Sequence, residues 1–144
     1  MAHAEPRRSR HSQSGFTLLE ILVVIAILGL LVGFVAPAVL RQLGFARGAV
    51  AKQSIERLGG ILDLYKLDVG SYPTTAQGLA ALVQAPSGLR LWNGPYVKGA
   101  MPVDPWSHAY LYRNPSNRTG HDYDLCSMGP NGEQAPPTEM ICNP

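Results

Sequence analysis

An uncharged apolar stretch near the N-terminus limits the possible fold of this chain more than any other feature. Residues 21–40 contain no Lys, Arg, Asp or Glu. About 20 such residues in a helix match the ~30 Å hydrocarbon core of a bilayer. No other segment of the 144-residue sequence is both long enough and apolar enough to do so. The sequence therefore predicts a membrane protein with one spanning helix and one small domain.

Basic residues before this stretch predict its orientation. Arg7, Arg8 and Arg10 precede it, and positive residues are retained on the cytoplasmic side of a membrane. We therefore expect the N-terminus in the cytoplasm and everything after Leu40 on the opposite side. Without these arginines and Glu5, the totals of 12 basic and 10 acidic residues become equal. A chain balanced in this way offers no broad positive surface, so no nucleic-acid partner is expected.

Changes in composition divide the chain into four parts. Residues 1–15 are polar and basic without apolar periodicity, which indicates a disordered leader. Residues 16–40 and 41–70 are expected to form one long helix, apolar all round in its first part and amphipathic in its second. Residues 71–144 have short apolar runs between prolines and glycines, which is typical of brief elements joined by turns.

The long helix is expected to run from residue 16 to about residue 68. In its second half, apolar residues recur at spacings of three and four, and the face they share is expected to pack on the globular domain. These residues are Ile55, Leu58, Leu62, Tyr65 and Val69. Gly70 and Pro73 predict the end of the helix. Pro37 lacks an N–H and clashes with the carbonyl one turn back, so a kink or local melting is expected near residues 33–37.

Shorter patterns follow the helix. Residues 77–84 could make a short helix, and residues 109–113 and 123–128 alternate well enough to predict two strands. These strands are expected to be antiparallel and joined through residues 114–120. The tail, residues 129–144, is expected to be a loop. The predicted fold class is α+β, with the long helix packed on a small antiparallel sheet.

Two pairs of residues carry weaker signals. Gly29 and Gly33 have the small-residue spacing that lets membrane helices approach closely, although glycine is common in such helices. Cys126 and Cys142 both lie in the exported portion and are expected to form a disulfide in an oxidising compartment. Two unpaired buried thiols remain the alternative.

A carboxylate at the head of the apolar stretch completes a recognisable motif. The segment Gly15-Phe16-Thr17-Leu18-Leu19-Glu20 resembles the class III signal sequence of type IV pilins and pseudopilins. The resemblance implies that a prepilin peptidase cuts between Gly15 and Phe16 and N-methylates Phe16. It also implies that Glu20 neutralises the new amine within the filament, on its own chain or on a neighbour. A carboxylate costs ~2.5–3.5 kcal/mol at mid-membrane, and an unpaired buried charge is expensive.

An ordinary secretory signal is the alternative for this region. Ala36-Pro37-Ala38 satisfies its small-residue cleavage pattern. Against it, Glu20 would interrupt the apolar core of such a signal without benefit. Cleavage there would also discard the residues that match the pilin motif.

The globular part resembles the family of major pseudopilins of type II secretion. The matching stretches include Tyr72-Pro73-Thr74-Thr75-Ala76-Gln77-Gly78-Leu79 and Asp104-Pro105-Trp106. The resemblance implies a structural subunit of the periplasmic pseudopilus, not an enzyme, anchored in a Gram-negative inner membrane. It further implies self-association into a helical filament and, as partners, minor pseudopilins, an inner-membrane assembly platform and its ATPase. A type IV pilin used for adhesion, DNA uptake or motility and a membrane-tethered periplasmic binding domain are the alternatives.

One departure from the family concerns its calcium site. The resemblance implies aspartates in the C-terminal loop, but this chain has Asn131 in the Gly-Pro-Asn-Gly turn and Thr138 further on. Calcium takes six to eight oxygen ligands, preferably with several carboxylates, so no cofactor is expected. Weak calcium binding through the remaining acidic residues is left open. Those residues are Asp124, Glu133 and Glu139.

The cysteines flank the same loop. A Cys126–Cys142 disulfide closing about 15 intervening residues is expected to stabilise by ~3 kcal/mol. Our interpretation is that this covalent link replaces the calcium ion of the family. His108, His121 and Ser127 lack partners at metal-ligand or catalytic spacing in the sequence, so no catalytic or metal-binding residue is predicted among them.

Overall fold

The structure, a computed structural model, describes residues 15–144. The predicted leader therefore lies outside the described residues, except for Gly15. Contacts divide the chain into two units, one ending at Arg41 and the other comprising Gln42–Pro144. The first unit contains the apolar stretch, and the second contains the hydrophobic core and the sheet.

One 52-residue helix, α1, runs over Leu18–Val69 and confirms the predicted long helix. It begins after Thr17, whose Oγ1 accepts a hydrogen bond from the Glu20 N–H at 3.2 Å, as an N-cap does. It ends at Gly70, where φ is +92° and the N–H donates to the Lys66 carbonyl at 2.8 Å. A residue with a side chain rarely adopts that φ, so glycine suits the end of the helix.

α1 is helical through Pro37, so residues 33–37 are not melted in this structure, and the kink expected there as the alternative stays a prediction. Proline removes its own N–H from the helical hydrogen bonds, and its ring crowds the carbonyl one turn back. The hydrogen bond lost at Pro37 does not interrupt α1 in this structure.

A three-stranded antiparallel sheet forms the second layer, in the order β1-β2-β3. β1 is Leu111–Arg113, β2 is Asp124–Ser127 and β3 is Ile141–Cys142. The first two confirm the two predicted strands, with shorter bounds than the sequence indicated. Leu111 is opposite Cys126 in the β1–β2 register, and Cys126 is opposite Cys142 in the β2–β3 register.

The core lies between the second half of α1 and the sheet. The predicted apolar face of α1 is buried there, with Val69 only partly buried. The core residues are Ile55, Leu58, Leu62, Tyr65, Ala81, Leu82, Tyr110, Tyr123 and Leu125. Fully burying a side chain the size of Leu or Ile contributes roughly 1.5–3 kcal/mol, so this face fixes where the sheet packs.

Of the two predictions that follow the strands and the long helix, one is confirmed and one is wrong in part. The short helix expected within residues 77–84 is the 3-10 helix Leu79–Leu82. The tail is not a loop throughout, since it contains the 3-10 helices Gly129–Gln134 and Pro137–Glu139 and then β3. Elements of two to six residues are too short to show a clear period in sequence. Gly132 has φ of +57°, and a Cβ there would come within 3.1 Å of the His108 ring.

Candidate functional site

The start of α1 presents the residues of the predicted processing motif. Gly15 and Phe16 precede the helix and are exposed. Glu20 lies in the first turn of α1. Within residues 15–144 no basic side chain forms a salt bridge with Glu20. In the described part of a single chain, Glu20 is therefore a carboxylate without a positive partner at the head of an apolar helix.

The first half of α1 is an apolar surface. It is long and apolar enough to cross a membrane, and its most apolar window has a mean hydropathy of 3.0 with none of it buried. Leu30 is 63% exposed and Phe34 is 74% exposed. Contiguous apolar patches this large are rare on monomeric soluble proteins and mark a membrane or protein interface.

Gly29 and Gly33 lie one turn apart on this surface. A Cβ built at either position would meet no atom within 4 Å. Both glycines are therefore open to a neighbouring helix, which could approach closely there. Their packing role stays a prediction.

The predicted disulfide joins the C-terminal residues to the sheet. Cys126 of β2 and Cys142 of β3 face each other in the antiparallel register and are bonded. Cys126 is buried and Cys142 is partly buried. The two cysteines are 16 residues apart, so the bond closes the segment that contains both 3-10 helices of the tail.

Two of the three acidic residues near this segment, Asp124 and Glu139, accept hydrogen bonds from protein donors. Glu139 Oε2 accepts a hydrogen bond from Asn131 Nδ2 at 2.8 Å. Asp124 is engaged by neighbouring donors, as described below, and Glu133 is exposed. No group of three His, Cys, Asp or Glu side chains in residues 15–144 could hold a metal ion. Calcium needs six to eight oxygen ligands, and this donor set does not fit it.

Arg118 and Asn143 form a network with Asp124 at the start of β2. Arg118 Nε donates to Asp124 Oδ1 at 2.7 Å, while its two terminal nitrogens donate to Asn143 O at 2.8 Å and Asn143 Oδ1 at 2.6 Å. Asp124 also accepts from the Ser116 hydroxyl at 2.6 Å and the Asn117 N–H at 3.0 Å. Burial alone raises the pKa of Asp124, but these hydrogen bonds outweigh burial and lower the pKa to about 2.

Asp104 is the buried centre of a second cluster. Its Oδ1 accepts the backbone N–H groups of Trp106 at 3.0 Å and His108 at 2.8 Å. Its Oδ2 accepts the Ser127 hydroxyl at 2.6 Å. The Ser127 oxygen in turn accepts the Gly129 N–H at 3.2 Å. Asp104 therefore ties the turn that follows it to β2 and to the start of the tail.

This cluster holds an aspartate, a histidine and a serine but not the arrangement of an activated nucleophile. The Ser127 hydroxyl donates to the Asp104 carboxylate and is fully buried. The His108 Nδ1–H donates to the Gly129 carbonyl at 2.9 Å. An activated serine donates to a basic imidazole and is open to substrate. The geometry is that of a structural cluster.

Sequence reasoning placed the processing motif, the membrane stretch and the disulfide, but missed both polar networks. Asp104 was recognised only as part of a family stretch, although its burial makes it the centre of a cluster. Arg118 and Asn143 had no signal, because they lie 25 residues apart in segments without periodicity. Asp124 was named as a possible calcium ligand, and the structure shows that it forms a salt bridge with Arg118.

Two family models match the chain. The model described as "Type II secretion system (T2SS), protein G" matches residues 38–143. The model for the prokaryotic N-terminal methylation motif matches residues 10–36. The two matches do not overlap, and together they cover every residue except 1–9, 37 and 144.

Curated proteins and a solved structure are similar over most of the chain. The type II secretion system core protein G of Pseudomonas aeruginosa is 44% identical over 128 residues, which cover 87% of this chain and 89% of that protein. The protein of the same name from Escherichia coli K12 is 42% identical over 130 residues, with 88% of each covered. The crystal structure of the major pseudopilin from the type 2 secretion system of enterohaemorrhagic Escherichia coli gives a TM-score of 0.61 at 32% identity. It covers 72% of this chain and 91% of that chain.

Proposed function

The chain belongs to the protein G family of the type II secretion system, and from that premise we propose how its residues serve a pseudopilus. It is a structural subunit of the pseudopilus and assembles with other components of that system. The observation that carries this function is an exposed apolar helical segment that is followed in the chain by the family match over residues 38–143. The filament drives export of folded proteins through the outer membrane.

The proposed topology follows from charge and hydropathy. Residues 16–40 span the inner membrane before assembly, because none of the apolar window is buried and its length matches a bilayer. Arg7, Arg8 and Arg10 keep the N-terminus in the cytoplasm. Residues 71–144 are then periplasmic, which is the compartment where a disulfide persists.

The proposed assembly step depends on Glu20. Cleavage between Gly15 and Phe16 by a prepilin peptidase creates an amine four residues from Glu20, and methylation leaves that amine cationic. In the filament core, where water is excluded, the carboxylate of one subunit pairs with the amine of its own or a neighbouring chain. Leaving either charge unpaired there is costly, so the pair fixes the register between helices. The exposed motif and the match to the methylation motif support this step.

The other proposed partners act on the same apolar helix. An inner-membrane platform and its ATPase extract subunits from the bilayer, and minor pseudopilins join the same filament through equivalent helices. The open surface at Gly29 and Gly33 supports close packing of such helices.

The C-terminal loop is proposed to close without calcium. The Cys126–Cys142 disulfide and the bond from Asn131 to Glu139 link the two sides of the loop. Calcium prefers several carboxylate ligands, and residues 131 and 138 are Asn131 and Thr138 here.

Filament formation tests the proposed function. The purified, processed protein in detergent is expected to form helical filaments when detergent is removed, as seen by electron microscopy. A stable monomer with a ligand-filled cleft would contradict a structural role and favour a binding domain.

A further inference from the structure

The last strand of the sheet is too short to hold itself in place. β3 pairs with β2 through only two residue pairs, Cys126 with Cys142 and Ser127 with Ile141. Even a two-stranded hairpin is marginal in water, and this strand has fewer pairs than most. Yet the side chain of Ile141 packs against the hydrophobic core. Some other interaction must therefore help to hold the tail.

Asn143 extends the pairing of β3 with β2 by forming hydrogen bonds where a further strand residue would form them. Its backbone N–H donates to the Leu125 carbonyl at 2.9 Å, and its side-chain Oδ1 accepts the Leu125 N–H at 2.8 Å. Its Nδ2 donates to the Tyr123 carbonyl at 3.2 Å. Asn143 thus satisfies both backbone groups of Leu125, the central core residue of β2.

Arg118 fastens Asn143 from the opposite side. Its planar fork donates to Asn143 O and Asn143 Oδ1 while its Nε is held by Asp124. A fork that bonds two acceptors at once fixes their geometry as well as their distance. Arg118 lies in the connection between β1 and β2. Its bonds to Asn143 therefore link this connection to the residue that directly follows β3.

We propose that the clamp formed by Arg118 and Asn143 holds Cys142 opposite Cys126 before the thiols are oxidised, and so directs formation of the disulfide. None of the clamp's hydrogen bonds involves sulfur, so all of them are available to the reduced chain. Asn143 is bonded directly to Cys142 in the chain. Holding one thiol beside the other raises its effective concentration. By linkage, the factor by which the clamp favours closing of the disulfide is also the factor by which the closed disulfide favours the clamp.

The oxidation itself needs a thiol–disulfide oxidant such as glutathione disulfide. The thiolate of one cysteine attacks it, forming a mixed disulfide and releasing one glutathione thiolate. The thiolate of the second cysteine then attacks the protein sulfur and releases a second glutathione. Two cysteines are oxidised and one glutathione disulfide is reduced to two glutathiones. This inference concerns folding of the domain and does not require that the subunit forms a filament.

A glutathione redox titration of the full chain in detergent micelles tests the clamp. The effective concentration of the thiol pair is expected to fall about tenfold or more in Asn143→Ala, since several net hydrogen bonds are lost. Asn131→Ala is the matched control, because it removes an amide in the same tail that bonds Glu139 and touches no clamp residue. Its effective concentration is expected to stay within about twofold of the wild type. An unchanged value in Asn143→Ala, or an equal fall in Asn131→Ala, would overturn the proposal.

Hydrogen exchange in Cys126→Ser gives a second test that does not depend on redox chemistry. The Leu125 N–H, which donates to Asn143 Oδ1, is expected to stay protected at least about tenfold relative to an unstructured chain. Adding Asn143→Ala is expected to abolish that protection while Leu62 on α1 remains protected. The proposal fails if Leu125 exchanges freely in Cys126→Ser, whether Leu62 stays protected or the whole domain opens.

Discussion

Asn131 Nδ2 donates a 2.8 Å hydrogen bond to Glu139 Oε2 across the two 3-10 helices of the tail. An amide can pair with a carboxylate directly, whereas two carboxylates at this distance would repel each other unless a cation lay between them. We therefore propose that the neutral partner at residue 131 lets this part of the tail close without a metal ion. The disulfide between β2 and β3 closes the same segment covalently.

Calcium is expected to contribute little to the stability of the oxidised protein. A ligand that binds only the folded state stabilises it by RT ln(1 + [L]/Kd), so a functional site would raise the melting temperature as calcium is added. Calorimetry with calcium and with chelator is expected to give the same melting temperature. A strong loss of stability on chelation would contradict this prediction and return Asp124, Glu133 and Glu139 to consideration as ligands.

Reduction of the disulfide is expected to lower the melting temperature of the domain. Opening it removes a constraint on the unfolded chain that the chain-entropy model sets at ~3 kcal/mol for a loop of about 15 residues. Cys126→Ser is expected to have a similar effect and to speed proteolysis within residues 129–144. Thermal melts with and without reductant measure the change. If reduction leaves both the melting temperature and the cleavage rate unchanged, the disulfide does not stabilise the tail.

Acid is expected to weaken the fold through Asp124. Its pKa is lowered from 3.8 to about 2, so its contribution to stability is present above about pH 4. That contribution is lost as pH falls through the folded-state pKa, because the proton binds more tightly to the unfolded chain. Between pH 4 and pH 2, the melting temperature is expected to fall more steeply in the wild type than in Asp124→Asn.

Asp122→Asn serves as the control for that comparison. Asp122 is an exposed carboxylate whose salt bridge with Lys66 spans 3.3 Å at the surface, and such pairs contribute little. Between pH 4 and pH 2, the melting temperature of Asp122→Asn is expected to fall as steeply as that of the wild type. Equal slopes in wild type and Asp124→Asn would show that Asp124 is not the group responsible.

Glu20 is expected to be needed for assembly and not for insertion. Glu20→Ala and Glu20→Leu should be processed and inserted normally, because neither change adds a charge to the membrane stretch. Both are expected to abolish filaments and secretion, since the amine of Phe16 loses its partner. Glu133→Ala is the control, because it removes an exposed carboxylate from the globular part. Filament yield is counted by electron microscopy, and wild-type yield in the Glu20 variants would show that the pair is dispensable.

The sequence predicted features that repeat along a helix and missed those that depend on two distant segments. The face carrying Leu58 and Leu62 was recognised because burial follows the helical period over about four turns. β3 has two residues and shows no period. The grip of Arg118 on Asn143 depends on how the chain folds back over 25 residues, which no local pattern records. The kink or local melting expected near Pro37 does not interrupt α1, which is helical through that residue.

Processing at Gly15 is expected to depend on the absence of a side chain there. Glycine lets the backbone approach a protease closely, and a branched side chain would obstruct it. Gly15→Val is therefore expected to leave an uncut precursor in the membrane. Immunoblots resolve the precursor from the shorter mature form. Efficient cleavage of Gly15→Val would remove the steric argument for this position.

The mass of the subunit in sheared, purified filaments tests the central claim most directly, because it reports processing and assembly at once. We predict a chain that begins with N-methylated Phe16, runs to Pro144 and carries the Cys126–Cys142 disulfide. A filament subunit that retains Met1, or a protein that begins at Val39 after cleavage at Ala36-Pro37-Ala38 and forms no filament, would contradict the account.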